Sequence, residues 1–257
     1  MSEFLEFAVE LAKNAGQVIM EFREKQRLER IYTSRTHFRT VVDEAVDKLL
    51  FERISQRFPD HGIYSEEGGG FLDTHRLTWV NDPVDGTINL WGGITDQVGV
   101  CISLCENKTP IVGMINAPFR KELYSAEINK GAFLNGAPIH VSKTTKINEV
   151  LMGIDSGKFD RAAHLPFFEK AMSKDGITCP FCTACASVCL ALVASGGLDA
   201  YLATSLNPED MAAAVVIIRE AGGKVTNLKG EEWQLGNSSI LAANPVLHQK
   251  LSDFFGI

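Results

Sequence analysis

The sequence predicts an α/β (α+β) chain in which helices and strands pack in layers. Three observations carry this. Helical periodicity marks both ends of the chain, the stretch from Val98 to Val141 is strand-rich, and no linker, repeat or low-complexity tract separates the parts. Residues 1–257 are therefore read as a single compact domain of two lobes, an N-terminal lobe of about 1–145 and a C-terminal lobe of about 146–257.

In order along the chain, Phe4, Phe7, Ala8, Leu11, Ala12 and Val18 recur at helical spacing and predict a first amphipathic helix over 3–24. Ala45, Val46, Leu49, Leu50 and Ile54 predict a second over 43–57. Gly62–Ser65 reads as a short extended segment leading into Glu66-Glu67 and a Gly68-Gly69-Gly70 loop, and Leu77–Asn81 as a buried strand. Strands follow at Val98–Cys105, Pro110–Asn116, Glu122–Ala126, Ala132–Leu134 and Ile139–Val141, separated by Asn-Lys, Pro and Asn-Gly turns. Beyond a strand at Val150–Asp155, helices are expected at 161–172, 184–195, 208–221 and 245–255. Strands are expected near 198–202, 224–227 and 239–243.

Composition excludes some function classes. Hydrophobic residues make up 45% and charged residues 22%, values of a globule with a large core. A formal net charge of −7 disfavours nucleic-acid and membrane-surface partners, which need clustered Lys and Arg. The apolar run Ala212–Ile218 falls far short of the roughly 20 residues of a membrane span. No basic region precedes an apolar one at Met1–Glu6, so no secretory signal is read and a cytoplasmic protein is expected.

Cys179, Cys182, Cys185 and Cys189 read C-x2-C-x2-C-x3-C, the spacing of an iron–sulfur run. The alternative places Cys185 and Cys189 on one face of the apolar helix 184–195, where cysteine serves as a small core residue. Leu190, where such runs often carry Pro, favours the helix. The six histidines (37, 61, 75, 140, 164, 248) are scattered without ligand spacing.

The chemistry concentrates at Trp79-Val80-Asn81-Asp82-Pro83-Val84-Asp85-Gly86-Thr87, an apolar strand ending in two carboxylates three residues apart. A surface turn would also use Asp-Pro and Asp-Gly. Two anions so close repel unless a cation or proton lies between them, and oxygen ligands without His or Cys suit Mg²⁺. Glu66 and Glu67 would lie beside Asp82 if their strands pair. Asp210 in a first helical turn is explained by helix N-terminal preference alone, or it closes a metal site.

These residues resemble the inositol monophosphatase family of Mg²⁺-dependent, lithium-sensitive phosphatases. One signature is W-V-x-D-P-x-D-G-T-x-N at Trp79–Asn89, and the second is D-x-A-A-x6-E-A-G-G at Asp210–Gly223. Asp43, Ser65-Glu66-Glu67, Gly131–Gly136 and Val193–Tyr201 match in order between and around them. The resemblance implies a layered αβαβα fold, often a homodimer, acting on a small phosphorylated substrate with two to three Mg²⁺ ions. It places Glu66, Asp82 and the Val84 carbonyl on a first metal and Asp82, Asp85 and Asp210 on a second. Glu66 would also help hold a third through waters, with Glu67 behind it. Thr87 paired with Asp43 would orient and deprotonate the attacking water, Gly86 and Thr87 N–H groups would grip the phosphate, and Asp85 and Ala186 would meet the substrate.

The departures bear on substrate. Where the family carries a Glu that reads ring hydroxyls, Ala203 stands; a Gly-Thr-Ala segment reads Ala184-Cys185-Ala186; and a usual Trp is Glu209. The phrase Leu206–Asp210 is closer to histidinol-phosphate or fructose-1,6-bisphosphate phosphatases, whereas Asn89 is the inositol-type residue. Inositol-1-phosphate is the expected substrate, those two phosphatases are the rival enzymes, and a non-catalytic ligand-binding relative is the rival of another class.

Overall fold

Two helices open the chain, α1 (Glu3–Lys25) and α2 (Val41–Arg57), joined through a two-stranded hairpin of β1 (Ile31–Tyr32) and β2 (Phe38–Arg39). The computed structural model describes residues 2–25, 29–32, 38–68, 77–155 and 159–257. Leu5, Ala8, Leu11, Ala12, Ala15 and Ile19 of α1 are buried, as are Val42, Val46, Leu50 and Ile54 of α2. This helical spacing gives each helix one apolar face, and every such Leu or Ile side chain removed from water stabilises the fold by roughly 1.5–3 kcal/mol.

That face lies on a seven-stranded sheet of β3 (Gly62–Ser65), β4 (Thr78–Asp85), β5 (Gly99–Glu106), β6 (Thr109–Ala117), β7 (Glu122–Glu127), β8 (Ala132–Leu134) and β9 (Ala137–Pro138), in chain order. Only β3 and β4 run parallel; the other pairs are antiparallel. Side chains alternate across it. Trp79, Val100, Ile102, Leu104, Val112 and Met114 pack with α1 and α2, while Val80, Cys101, Ile115, Tyr124 and Ala126 face the other way.

The second face meets α5 (Ala186–Ala194) and α6 (Pro208–Glu220), buried without interruption from Glu209 to Ile218. Gly113 of β6 admits α6 closely, since a Cβ there would lie 2.3 Å from the Ala213 carbonyl oxygen. Beyond the helices lies a five-stranded sheet, in order β11 (Cys179–Phe181), β10 (Leu151–Asp155), β12 (Ala200–Ala203), β14 (Ile240–Ala243) and β13 (Lys224–Thr226). Its outer face, with Met152, Ile154, Leu202 and Leu241, is covered by α4 (Leu165–Ala171) and α7 (Pro245–Phe255). The stack is αβαβα, as expected.

Local corrections follow from specific residues. The strand read at Ile139–Val141 is instead β9, because after the Ile139 N–H donates to the Ala132 carbonyl of β8 the chain turns to α6, where the Val141 N–H donates to the Ala221 carbonyl. The helix read at 161–172 begins only at Leu165; Asp160 Oδ1 accepts from Ala162 and Ala163 N–H and holds that stretch as a turn. A six-residue helix, α3 (Thr87–Gly92), was not visible in the periodicity, being too short to display one. Gly69, Gly70, His37 and His75 lie outside the described residues.

Candidate metal centre and active site

The parallel register Ser65↔Asn81 between β3 and β4 sets Glu66 beside Asp82. The strand containing Asp82 does not stop at Asn81; it runs on to Asp85, with its register against β5 shifting between Asp82 and Asp85. Pro83 has no N–H to give the ladder there. Asp82 Oδ1 accepts the Val84 N–H at 3.0 Å and fixes the turn. From the opposite side comes Asp210, in the first turn of α6, whose Oδ2 accepts the Asn207 N–H at 2.9 Å.

Glu66, Asp82 and Asp210 each bring one carboxylate oxygen to within 4.8 Å of the others. Asp82 and Asp210 are 1% exposed. At such separations two unit charges repel by roughly 4 kcal/mol even in a partly screened environment. An all-oxygen, all-acidic donor set of this kind fits a hard divalent cation, Mg²⁺ above the softer metals.

Beside the carboxylates stands a hydroxyl. Thr87 Oγ1 is 2.8 Å from Asp43 Oδ1 and 2.9 Å from the Val84 carbonyl oxygen, so its one proton is offered between two acceptors. Asp43 is held in turn by the N-terminus of α2, where its Oδ2 accepts the Thr40 N–H at 2.8 Å and the Thr40 hydroxyl at 2.6 Å. Burial raises the Asp43 carboxyl above its ordinary value, against the hydrogen bonds from Thr40 and Thr87 that lower it. Gly86 precedes Thr87 at φ +86°, and a Cβ there would lie 2.6 Å from the Gln97 carbonyl oxygen. Only glycine accepts both the left-handed backbone and the close approach.

Asp85 faces the second sheet. Its Oδ2 accepts the Ser187 N–H at 2.6 Å and the Cys185 thiol at 3.3 Å, which places Ala186, at the start of α5, alongside it. It is not one of the three residues whose oxygens converge. Burial, reinforced by the charge of Asp85, pushes the Cys185 thiol well above its usual range, so it remains a proton donor.

Glu67 accepts from Arg39 Nη1 at 2.7 Å, and Arg39 Nη2 lies 3.1 Å from Glu44. Burial raises the Glu67 carboxyl, opposed by this guanidinium. Arg39 was not found from sequence because no spacing marks it; β2 brings it to the site. Three of the four cysteines of the iron–sulfur spacing take separate partners. Cys182 donates to Asp155, Cys185 to Asp85, and Cys189 pairs with Thr183, while Cys179 is exposed. Cys189 lies on α5 and Cys185 caps it.

The sequence profile described as "Inositol monophosphatase family" matches residues 1–254. Inositol monophosphatase 1 of Solanum lycopersicum is 33% identical, covering 97% of this chain and 93% of its own. The Nus factor SuhB of Xylella fastidiosa is 34% identical, covering 87% of this chain and 82% of its own. The crystal structure of inositol monophosphate-bound SaIMPase-II, from Staphylococcus aureus, superposes with a TM-score of 0.82 at 26% identity over 98% of this chain and 93% of that one. A profile that spans the chain, with relatives at this identity and coverage, leaves one conclusion: the chain belongs to the inositol monophosphatase family and is a phosphatase of that family.

Proposed function

We propose that this phosphatase hydrolyses the phosphomonoester of a small polyol or sugar, inositol-1-phosphate foremost, using two to three Mg²⁺ ions and an activated water. The convergence of Glu66, Asp82 and Asp210 next to the Thr87–Asp43 pair carries this reading. Glu66, Asp82, the Val84 carbonyl, Asp85 and Asp210 would hold the ions, with Glu67 behind Glu66. When bound, Mg²⁺ offsets the ester's negative charge and lowers the pKa of water.

The remaining work falls to the chain. Thr87 Oγ1 accepts a hydrogen bond from the attacking water and passes its own proton toward Asp43 Oδ1, which burial has made the more ready to take it. The backbone N–H groups of Gly86 and Thr87 grip the phosphate, at a glycine without a side chain to obstruct it. Asp85 and Ala186 border the ester's alcohol portion. Inositol as that portion is supported by Asn89 and by the inositol monophosphate bound to SaIMPase-II.

Phosphate release from inositol-1-phosphate, histidinol phosphate, fructose-1,6-bisphosphate and adenosine 3′,5′-bisphosphate tests the reading. A preference above about tenfold in kcat/KM, roughly 1.4 kcal/mol, names the substrate. Failure to release phosphate from any of them with Mg²⁺ would favour a non-catalytic binding role. Lithium inhibition and a cytoplasmic homodimer complete the proposal, tested by inhibition kinetics, fractionation and solution mass. No helix of the described residues is long and apolar enough to cross a membrane.

A further inference from the structure

Asp155 is a buried carboxylate that the proposed chemistry does not use. It closes β10, is 6% exposed, and accepts the Tyr201 hydroxyl on Oδ2 at 2.6 Å and the Cys182 thiol on Oδ1 at 2.7 Å. Its parallel partner in register on β12 is Ala203. The chain leaves β12 for α6, whose first turn carries Asp210 of the acidic cluster, and the end of β10 lies in register beside the end of β12. Ligands of layered α/β folds gather at the carboxyl ends of parallel strands. Asp155 holds Cys182, and Asp85 holds Cys185 and the Ser187 N–H, so the two carboxylates meet the chain just before and at the start of α5.

Tyr201 and Cys182 are neutral donors, and no cationic side chain among the described residues pairs with Asp155. A carboxylate has about four lone-pair sites, and hydrogen bonds from the described residues take two of those of Asp155. Ala203 beside it offers only a methyl group.

We infer that Asp155 is a specificity-determining residue, accepting a hydrogen bond from a hydroxyl of the ester's alcohol portion. The inference rests on the phosphatase reading. An ester without that hydroxyl forfeits the bond and leaves a desolvated acceptor unsatisfied, which is how polar sites discriminate.

Wild type, Asp155→Ala and Asp155→Asn are compared on inositol-1-phosphate and on phenyl phosphate, which has no free hydroxyl, at saturating Mg²⁺. Asp155→Ala is expected to lose at least tenfold more kcat/KM on inositol-1-phosphate than on phenyl phosphate. Asp155→Asn, still an acceptor but uncharged, is expected to show a smaller gap of at least threefold, and it serves alone if the alanine variant does not fold. Equal losses on both esters, or no loss on either, overturn the inference and leave the phosphatase reading standing. A wild type that hydrolyses neither ester overturns both.

Discussion

The backbone N–H of Ser187 donates to Asp85 Oδ2 at 2.6 Å, across 102 residues of sequence. The bond joins the last residue of β4 in the seven-stranded sheet to the helix packed against the five-stranded one. The strand that carries Asp82 and Asp85 and the opposite layer are therefore pinned to each other at a carboxylate.

Asp82→Asn and Asp210→Asn are each expected to lower kcat by about 10³ or more while keeping a native circular dichroism spectrum, since each removes a charge rather than a packing group. The amide oxygen of Asn at position 210 can still accept the Asn207 N–H at the start of α6. Turnover within tenfold of wild type in either variant would count against the metal assignment.

Thr87→Ala is expected to lower kcat by about 10²–10⁴ with KM changed by no more than a few-fold, because it breaks the path to Asp43 while sparing the carboxylates. Thr87→Ser, which restores the hydroxyl, should recover most of the loss. A serine variant as slow as the alanine one would argue for a packing role.

Arg39→Met leaves Glu67 and Glu44 without their guanidinium. Glu67 adjoins Glu66 of the acidic cluster, so unbalanced charge there should shift the apparent Mg²⁺ affinity. A change of at least threefold in the Mg²⁺ concentration for half-maximal thermal stabilisation is expected, with Arg39→Lys intermediate. Superimposable Mg²⁺ titrations would show that Arg39 acts elsewhere.

Gly86→Ala meets both a left-handed backbone and the Gln97 carbonyl oxygen. Chemical denaturation should show a loss of about 1–3 kcal/mol, along with reduced phosphate release. A loss below about 0.5 kcal/mol would mean the loop yields more readily than its contacts indicate.

His248 is buried, with Nε2 3.0 Å from Thr226 Oγ1; burial, then the charge of Lys224, lowers its pKa from 6.5 to about 4. The unfolded chain thus binds a proton before the folded one does. Its stabilising share is complete above pH 6.5 and is lost as pH falls toward about 4. Melting temperature should drop across that window, and less steeply in His248→Gln. Parallel pH profiles would remove His248 as a cause.

The legible part of the site was local. Trp79–Thr87 announces itself through apolar residues ending in carboxylates, Pro and Gly, and Asp210 through its helix start. Asp43 and Thr87 were paired from resemblance alone, and they lie 2.8 Å apart. What escaped notice depends on partners distant in sequence. Arg39 meets Glu67 across 28 residues, Tyr201 meets Asp155 across 46, and Cys185 meets Asp85 across 100. The cysteine spacing likewise does not encode their partners: Cys182 and Cys185 donate to Asp155 and Asp85, outside the run, while Cys189 pairs with Thr183, six residues before it.

By itself the sequence determined which segments become amphipathic helices and alternating strands, and which residue types could carry oxygen-ligand chemistry, because periodicity and turn residues act over a few positions. Tertiary structure decided which carboxylate oxygens converge, that Asp85 turns toward α5, and that Asp155 lies in register beside Ala203 and accepts the Tyr201 hydroxyl. These relations arise from two sheets clamping one pair of helices, and packing between layers joins residues with no relation in sequence.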